Sequence, residues 1–226
     1  MTSLRSLCAT ALFGGMAALA SSAQAQTDDS GFYATVYAQA SRLGSTTFDE
    51  IGTARFGTGL KADFDTGLGL GGDFGYLYGN GWAAEVEWNW RRHDLSSLRR
   101  SGTAVAGVTE GDFASNIIFV NGLRRFTLAS TRIVPYVGVG LGWVQEIDFD
   151  LNSATLERAW SDQGEFGVQL MGGAEFPLGD AWRLTTDLRL LRVGEVELSA
   201  EEGVTGRLAD PEYNPLSVQV GLRRRF

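Results

Sequence analysis

The chain has 226 residues, of which 19 are Lys or Arg and 27 are Asp or Glu, so its formal net charge is −8 at pH 7. The length suits one domain or a small pair of domains. The acidic balance argues against a nucleic-acid partner, because binding a polyanion needs a basic surface.

The first 25 residues have the pattern of a secretory signal peptide. Arg5 supplies a positive charge, an apolar run extends from Cys8 to Ala20, and an A-x-A cleavage site ends at Ala25. The apolar run is shorter than the ~20 residues of a membrane-spanning helix. We therefore expect residues 1–25 to be cleaved and residues 26–226 to form the mature domain.

The mature chain would carry no thiol and no long apolar helix. Cys8 is the only cysteine and would leave with the signal peptide, as would Arg5, which takes the net charge from −8 to −9. After Ala25 no apolar segment approaches ~18 residues. Export without a helical anchor leaves the periplasm, the medium or the outer membrane as destinations.

Alternation of apolar and polar residues predicts eight β-strands. The clearest hairpin runs from Thr66 to Arg92 and turns at Gly79-Asn80-Gly81, where glycine supplies positive φ. Three tryptophans of its second strand share one face, whereas the opposite face is polar. In chain order, the predicted strands are 31–41, 65–78, 82–92, 112–126, 133–144, 165–176, 182–193 and 216–226.

Two of these strands have less regular patterns. Strand 112–126 contains the consecutive apolar residues 117–120, so its facing is open. Strand 133–144 continues to alternate beyond its end and predicts a ribbon above the membrane. There the polar residues (Glu146, Asp148, Asp150 and Asn152) are expected to face inward and the apolar residues (Ile147, Phe149 and Leu151) outward.

The connections between the strands alternate between long and short, as in bacterial outer-membrane barrels with short periplasmic turns and long outer loops. Trp82 and Trp90 are separated by about 20 Å of membrane normal at a ~40° strand tilt, so they are placed at the two interfaces. A lipocalin-like soluble barrel would have the opposite facing, with an apolar interior. We therefore predict an all-β, eight-stranded antiparallel transmembrane barrel.

The inward residues of the predicted strands carry five charges of each sign. In a narrow eight-stranded barrel, long side chains from opposite walls can meet, and unpaired charges there would be costly. We expect Glu85 and Glu87 to face Arg183 and Arg189 across the lumen. The predicted lumenal ion network comprises Asp73, Glu85, Glu87, Arg91, Glu175, Arg183, Asp187, Arg189, Arg223 and Arg225.

Several segments resemble the small eight-stranded outer-membrane barrels of the OmpA/OmpX and opacity-protein type. They are the Gly-rich strand ending at Gly75-Tyr76, the turn before Trp82, the run 135–142 and the ending 217–226. The resemblance implies a Gram-negative outer-membrane location, contact with membrane lipid and lipopolysaccharide, and a monomer. It also implies that Phe226 is a signal for the outer-membrane assembly machinery, and that Arg224 stands where the family usually has an aromatic or apolar residue.

Candidate chemistry is sparse. Some eight-stranded barrels modify lipid A with a histidine near the outer rim, and His93-Asp94 with Ser96 and Ser97 would lie at that height. Residues 148–152 begin like a calcium loop but lack its glycine and distal glutamate. Glu85 and Glu87 fit an ion network better than a glycosidase pair.

These observations lead to a ranked expectation of function. The first is a non-enzymatic surface or envelope protein, without cofactor or metal, whose outer loops contact an extracellular ligand. A small or gated porin is the second, and a lipid A-modifying enzyme is the third.

Overall fold

The fold was determined as a computed structural model of the chain. It describes residues 30–52, 57–108, 110–128, 132–153, 156–194, 196–201, 206–209 and 211–226. The predicted signal peptide lies outside the described residues. Within these ranges, no helix has the length and apolar character needed to cross a membrane.

The described chain is all-β and forms fourteen strands, in place of the eight predicted. The strands are β1 (Gly31–Arg42), β2 (Thr46–Ile51), β3 (Leu60–Phe64), β4 (Gly67–Leu77), β5 (Trp82–Arg100), β6 (Thr103–Ala104), β7 (Glu110–Arg125), β8 (Val134–Ser153), β9 (Leu156–Asp162), β10 (Phe166–Pro177), β11 (Trp182–Val193), β12 (Glu197–Ala200), β13 (Arg207–Ala209) and β14 (Leu216–Arg225).

Eight of these strands close a ring, so the predicted barrel is confirmed. Antiparallel pairing runs in the order β1-β4-β5-β7-β8-β10-β11-β14 and returns from β14 to β1. Following register partners once around the ring leads from Arg92 back to Trp82 on the same strand, a shear of ten residues. With ~3.3 Å per residue and ~4.8 Å between strands, this shear gives a strand tilt of about 41° and a radius of about 8 Å.

A second ring stands on the first. β5, β7 and β8 are longer than the other ring strands, and their outer ends pair with short strands from the long connections. This ring runs β2-β3-β5-β7-β8-β9-β12-β13 and closes from β13 to β2. We call it the extension. Apart from the end of the connection 42–64, where a strand was anticipated and β3 lies, the long connections were predicted without strands, because segments as short as β12 or β13 carry too few residues to show a period.

The outer wall of the first ring is apolar. Side chains such as Val36, Leu70 and Leu141 are at least half exposed on it. Trp88 and Trp143 mark the end of this wall that adjoins the extension. β8 spans about 47 Å along the barrel axis at the derived tilt, whereas the apolar band of an outer-membrane barrel is about 25 Å tall. Half of β8 therefore projects beyond the membrane.

A β-bulge at Gln145 corrects the predicted facing of the upper part of β8. The pairing with β7 steps from Val144 directly to Glu146, so Gln145 is unpaired and every later side chain changes face. The apolar residues Ile147, Phe149 and Leu151 are consequently buried inside the extension, not exposed outside it. The acidic residues face outward.

The burial of the β7 side chains shows which of them point into the barrel. Ile117 and Phe119 are fully buried in the interior, whereas Val120 is 62% exposed on the wall. The consecutive apolar residues therefore alternate between two apolar environments: the lipid-facing wall on one side and the core of the extension on the other. β5 also extends eight residues beyond the predicted end at Arg92.

Candidate functional site

The lumen of the first ring is filled by polar side chains from all around the wall. Glycines on β4 make room for two large residues of β1. A Cβ atom on Gly71 would lie 2.4 Å from the hydroxyl oxygen of Tyr37, and one on Gly75 would lie 2.4 Å from Cζ of Tyr33. Only glycine fits these positions without moving the tyrosines, which explains why β4 is rich in glycine.

One ion cluster is centred on Arg223, which is 5% exposed. Its guanidinium nitrogens lie 2.8 Å from Glu175, 3.3 Å from Glu85 and 3.7 Å from Asp73. Arg125 adds a 2.8 Å ion pair to Glu175. Carboxylates from three strands thus converge on a single arginine.

A second ion cluster is centred on Arg189. Its Nη1 lies 2.5 Å from Glu87 and its Nε lies 2.7 Å from Asp187. The side-chain amides of Asn121 and Gln169 also donate to Glu87, over 2.7 and 3.1 Å. The Tyr37 hydroxyl donates to it as well, so Glu87 is fully buried and receives donors from four other strands.

Eight of the ten predicted network residues are buried in the lumen; Arg183 and Arg225 are half-buried. Arg91 donates to Asn89 and Ser217, so it belongs to a layer of amides and hydroxyls above the ion clusters. Arg183 donates to the backbone of Gly179 and Trp182 at the rim, whereas the sequence placed it opposite Glu85 and Glu87.

Sequence reasoning missed several members of the network. Arg125 lies on the strand whose facing was open, and the hydrogen bonds from Tyr33 to Glu85 and from Tyr37 to Glu87 were not predicted. The polar amides Asn89, Asn121 and Gln169 are buried and hydrogen-bonded among the charges. The alternation of each strand can predict that such an amide faces inward. It cannot predict which amide hydrogen-bonds to which carboxylate.

The histidine predicted at the outer rim points into the lumen. His93 Nε2 lies 2.8 Å from the Ser41 hydroxyl, and both side chains are buried. Asp94 faces outward and pairs with Arg92 over 3.3 Å, and Ser97 donates to Asp63 over 2.9 Å. The structure therefore places His93 and Asp94 on opposite faces of β5.

Above His93 the interior becomes an apolar core. Phe113 packs against Phe149 with ring centroids 5.3 Å apart and against Tyr213 at 5.0 Å. The Tyr213 hydroxyl is hydrogen-bonded to Ser115 over 2.7 Å, and Trp160 is fully buried in the same core. The sequence predicted a polar interior throughout, because the pattern of β8 does not reveal the bulge at Gln145 that turns its later apolar side chains inward.

The outer surface of β7 and β8 in the extension is acidic. Burial, and then the neighbouring carboxylates of Glu146, Glu201 and Asp150, raise the pKa of Asp148 to about 7. Within the described ranges, no group of three His, Cys, Asp or Glu side chains could hold a metal ion. This face is a crowded, solvated strand surface.

The C-terminal residue lies at the other end of the barrel. The Phe226 backbone N–H donates to the Phe32 carbonyl over 2.9 Å, and the ring is 69% exposed on the wall. Arg224 stacks near the rings of Trp182 and Phe226, with 5.6 and 5.3 Å from its guanidinium carbon to the two centroids.

Solved structures with the same fold are outer-membrane barrels. OprG from Pseudomonas aeruginosa is 16% identical, with a TM-score of 0.63, covering 90% of this chain and 99% of that one. Neisserial surface protein A is 15% identical, with a TM-score of 0.54, covering 87% and 97%. AlkL, solved in lipid bilayers, is 19% identical, with a TM-score of 0.54, covering 90% and 94%.

At these identities the likeness shows the fold alone. A comparison with curated proteins found no match by sequence. The family model described as outer membrane protein beta-barrel domain matches residues 11–226. Together with the closed ring and its apolar wall, this match identifies the chain as a member of the outer membrane protein beta-barrel domain family.

Proposed function

We propose that the protein is a non-conducting, non-enzymatic barrel of the Gram-negative outer membrane that acts through its extension. The observation that carries this proposal is the filled interior. Two ion clusters and an amide layer occupy the first ring, and an apolar core occupies the extension. An aqueous passage would have to break buried ion pairs and then cross packed aromatic rings, and both steps are costly.

The length of the extension supports a role at the cell surface. A barrel that only needed to span the bilayer would end near Trp88 and Trp143. In this chain, the outer half of β8 instead forms part of a second closed ring that has its own core. A rigid, projecting surface is suited to contact with molecules outside the cell, or with the sugars of lipopolysaccharide.

The sequence features support a proposal for how the barrel reaches the membrane. Residues 1–25 direct export, Phe226 is recognised by the assembly machinery, and the finished barrel acts as a single copy. A lipid-modifying activity is disfavoured, since His93 is bonded to Ser41 inside the filled lumen and is separated from Asp94.

Surface exposure of the extension can be tested at a single residue. Lys61 is the only lysine of the chain, and its side chain is 55% exposed on β3. An amine-reactive reagent that cannot cross membranes should label whole cells at Lys61, and a Lys61→Arg variant should remain unlabelled. Labelling of Lys61 only after the cells are broken would refute the proposed orientation.

Closure of the lumen can be tested in vesicles. Proteoliposomes placed in an isotonic sugar solution swell if the solute enters through the protein. We expect vesicles with this barrel to swell no faster than empty vesicles, while vesicles with a wide-pore porin swell rapidly. Swelling that depends on the amount of folded barrel would favour the porin hypothesis.

A further inference from the structure

Two corners of the barrel rim opposite the extension have the same construction. Each begins with a short turn, before β5 in one corner and before β11 in the other. The backbone of the first is closed by hydrogen bonds from Tyr78 to Trp82 (2.8 Å) and from Arg125 to Gly81 (2.8 Å). The second has the equivalent bonds from Leu178 to Trp182 (3.0 Å) and from Arg225 to Ala181 (2.8 Å).

The side chains on the outer wall of the two corners also correspond. In the first, Arg124 is the register partner of Trp82, and its guanidinium carbon lies 5.4 Å from the Trp82 ring and 6.0 Å from the Phe126 ring. In the second, Arg224 is the register partner of Trp182 and lies over Trp182 and Phe226 at 5.6 and 5.3 Å. We name these the Trp82 corner (Trp82, Arg124, Phe126) and the Trp182 corner (Trp182, Arg224, Phe226).

The corners lie on opposite sides of the barrel. The Trp82 corner is built on β5 and β7, and the Trp182 corner on β11 and β14. Two ring strands separate them in one direction (β8 and β10) and two in the other (β1 and β4). In a closed ring of eight strands this spacing places them across a diameter.

Each corner presents a guanidinium at the membrane interface. Trp82 and Trp182 are 52% and 41% exposed on the lipid-facing wall, at the height where tryptophan meets lipid headgroups. In the first corner Nη1 of Arg124 donates to the Asn80 carbonyl, which leaves Nε and Nη2 of that guanidinium for a ligand. Among the salt bridges of the described residues, none joins Arg124 or Arg224 to a carboxylate. Stacking uses the face of a guanidinium and leaves N–H groups at its edge, which match the oxygens of a phosphate.

We propose that each corner binds the phosphate group of one phospholipid of the periplasmic leaflet. The arginine donates to the phosphate oxygens, and the tryptophan and phenylalanine rings pack against the glycerol and the first methylenes. The same geometry occurs at Phe126, in the middle of the chain, so this role does not depend on the C-terminus. Two such sites on opposite walls would fix the height and tilt of the barrel in the bilayer.

The inference can be tested by native mass spectrometry of the purified full-length mature barrel, released from detergent in the presence of phosphatidylglycerol. We expect up to two tightly held phosphatidylglycerol molecules on the wild type, and little retention of diacylglycerol, which lacks the phosphate. Loss of a charge-assisted pair weakens binding by about tenfold. Arg124→Gln and Arg224→Gln should each lower the retained number by one, and the double variant should retain none.

Matched variants separate binding from folding. Arg124→Lys and Arg224→Lys keep the charge without the planar edge, so we expect intermediate retention. Lys61→Gln, on the extension, should retain as much lipid as the wild type. Unchanged retention in a double Gln variant that still shows a folded gel mobility would overturn the inference, as would equal retention of diacylglycerol and phosphatidylglycerol by the wild type.

Discussion

Removing the carboxylate of Glu87 should be among the most damaging single changes in the barrel. The side chain is fully buried and accepts from Arg189, Asn121 and Gln169 over 2.5 to 3.1 Å. Glu87→Ala leaves Arg189 with Asp187 as its remaining acidic partner. It also removes one hydrogen-bond acceptor each from Tyr37, Asn121 and Gln169. Breaking a buried pair in this way costs about 3–5 kcal/mol.

The assay is urea unfolding of the barrel in lipid vesicles, followed by tryptophan fluorescence and by gel mobility without boiling. A matched control is Glu197→Ala, which removes an exposed ion pair of 3.1 Å to Arg207, between side chains that are 61% and 49% exposed. That exposed pair should contribute less than about 1 kcal/mol. A double variant, Glu87→Gln with Arg189→Met, should cost less than the sum of its two single changes, because it removes both members of the 2.5 Å pair and leaves only Asp187, which keeps the Tyr136 hydroxyl as a donor.

Equal small losses for Glu87→Ala and Glu197→Ala would refute the reasoning. So would a double variant that is destabilised by the sum of its two single changes, since residues joined in one network are not additive.

Three further changes test other parts of the fold. Gly142→Ala would place a Cβ 2.5 Å from the Phe119 ring and should cost about 1–3 kcal/mol in urea unfolding, whereas Gly122→Ala has no atom within 4 Å and should be close to neutral. Because the folded pKa of Asp148 is raised to about 7 from 3.8, stability falls as pH rises between these values. Asp148→Asn should therefore stabilise the extension at pH 8, by about 1 kcal/mol after allowance for solvent screening, and make no difference at or below pH 3; a gain that persists at acidic pH would contradict the assignment. Deleting Gln145 removes the bulge and turns the apolar side chains of the upper strand outward, so limited proteolysis should digest the extension while the membrane ring keeps its folded gel mobility.

The membrane ring could be predicted from the sequence because one face of each strand meets lipid. Strict alternation, such as that around Trp88 and Glu87, reports such an environment directly, and the strand ends follow from the tight turns. The chemistry of the lumen could be predicted only in outline. Parity places Asp73 and Arg223 inside, but the choice of partners depends on the shear of the ring, which no single strand encodes.

The extension was hidden for two physical reasons. Its short strands are stabilised by pairing with the long strands and by a shared core, not by their own pattern. The single unpaired residue Gln145 reverses the facing of everything beyond it, so a perfect alternation through Phe149 predicted the wrong side. Local periodicity cannot detect a bulge that depends on the partner strand.

Single-channel recording in a planar bilayer tests the closed interior most directly. The folded wild-type barrel, inserted at defined orientation, should give no conductance steps above the bare membrane at any applied voltage that the membrane tolerates. Reproducible steps that scale with the amount of folded protein would contradict the account, because ions would then be passing through the Arg189 and Arg223 clusters and the aromatic core above them.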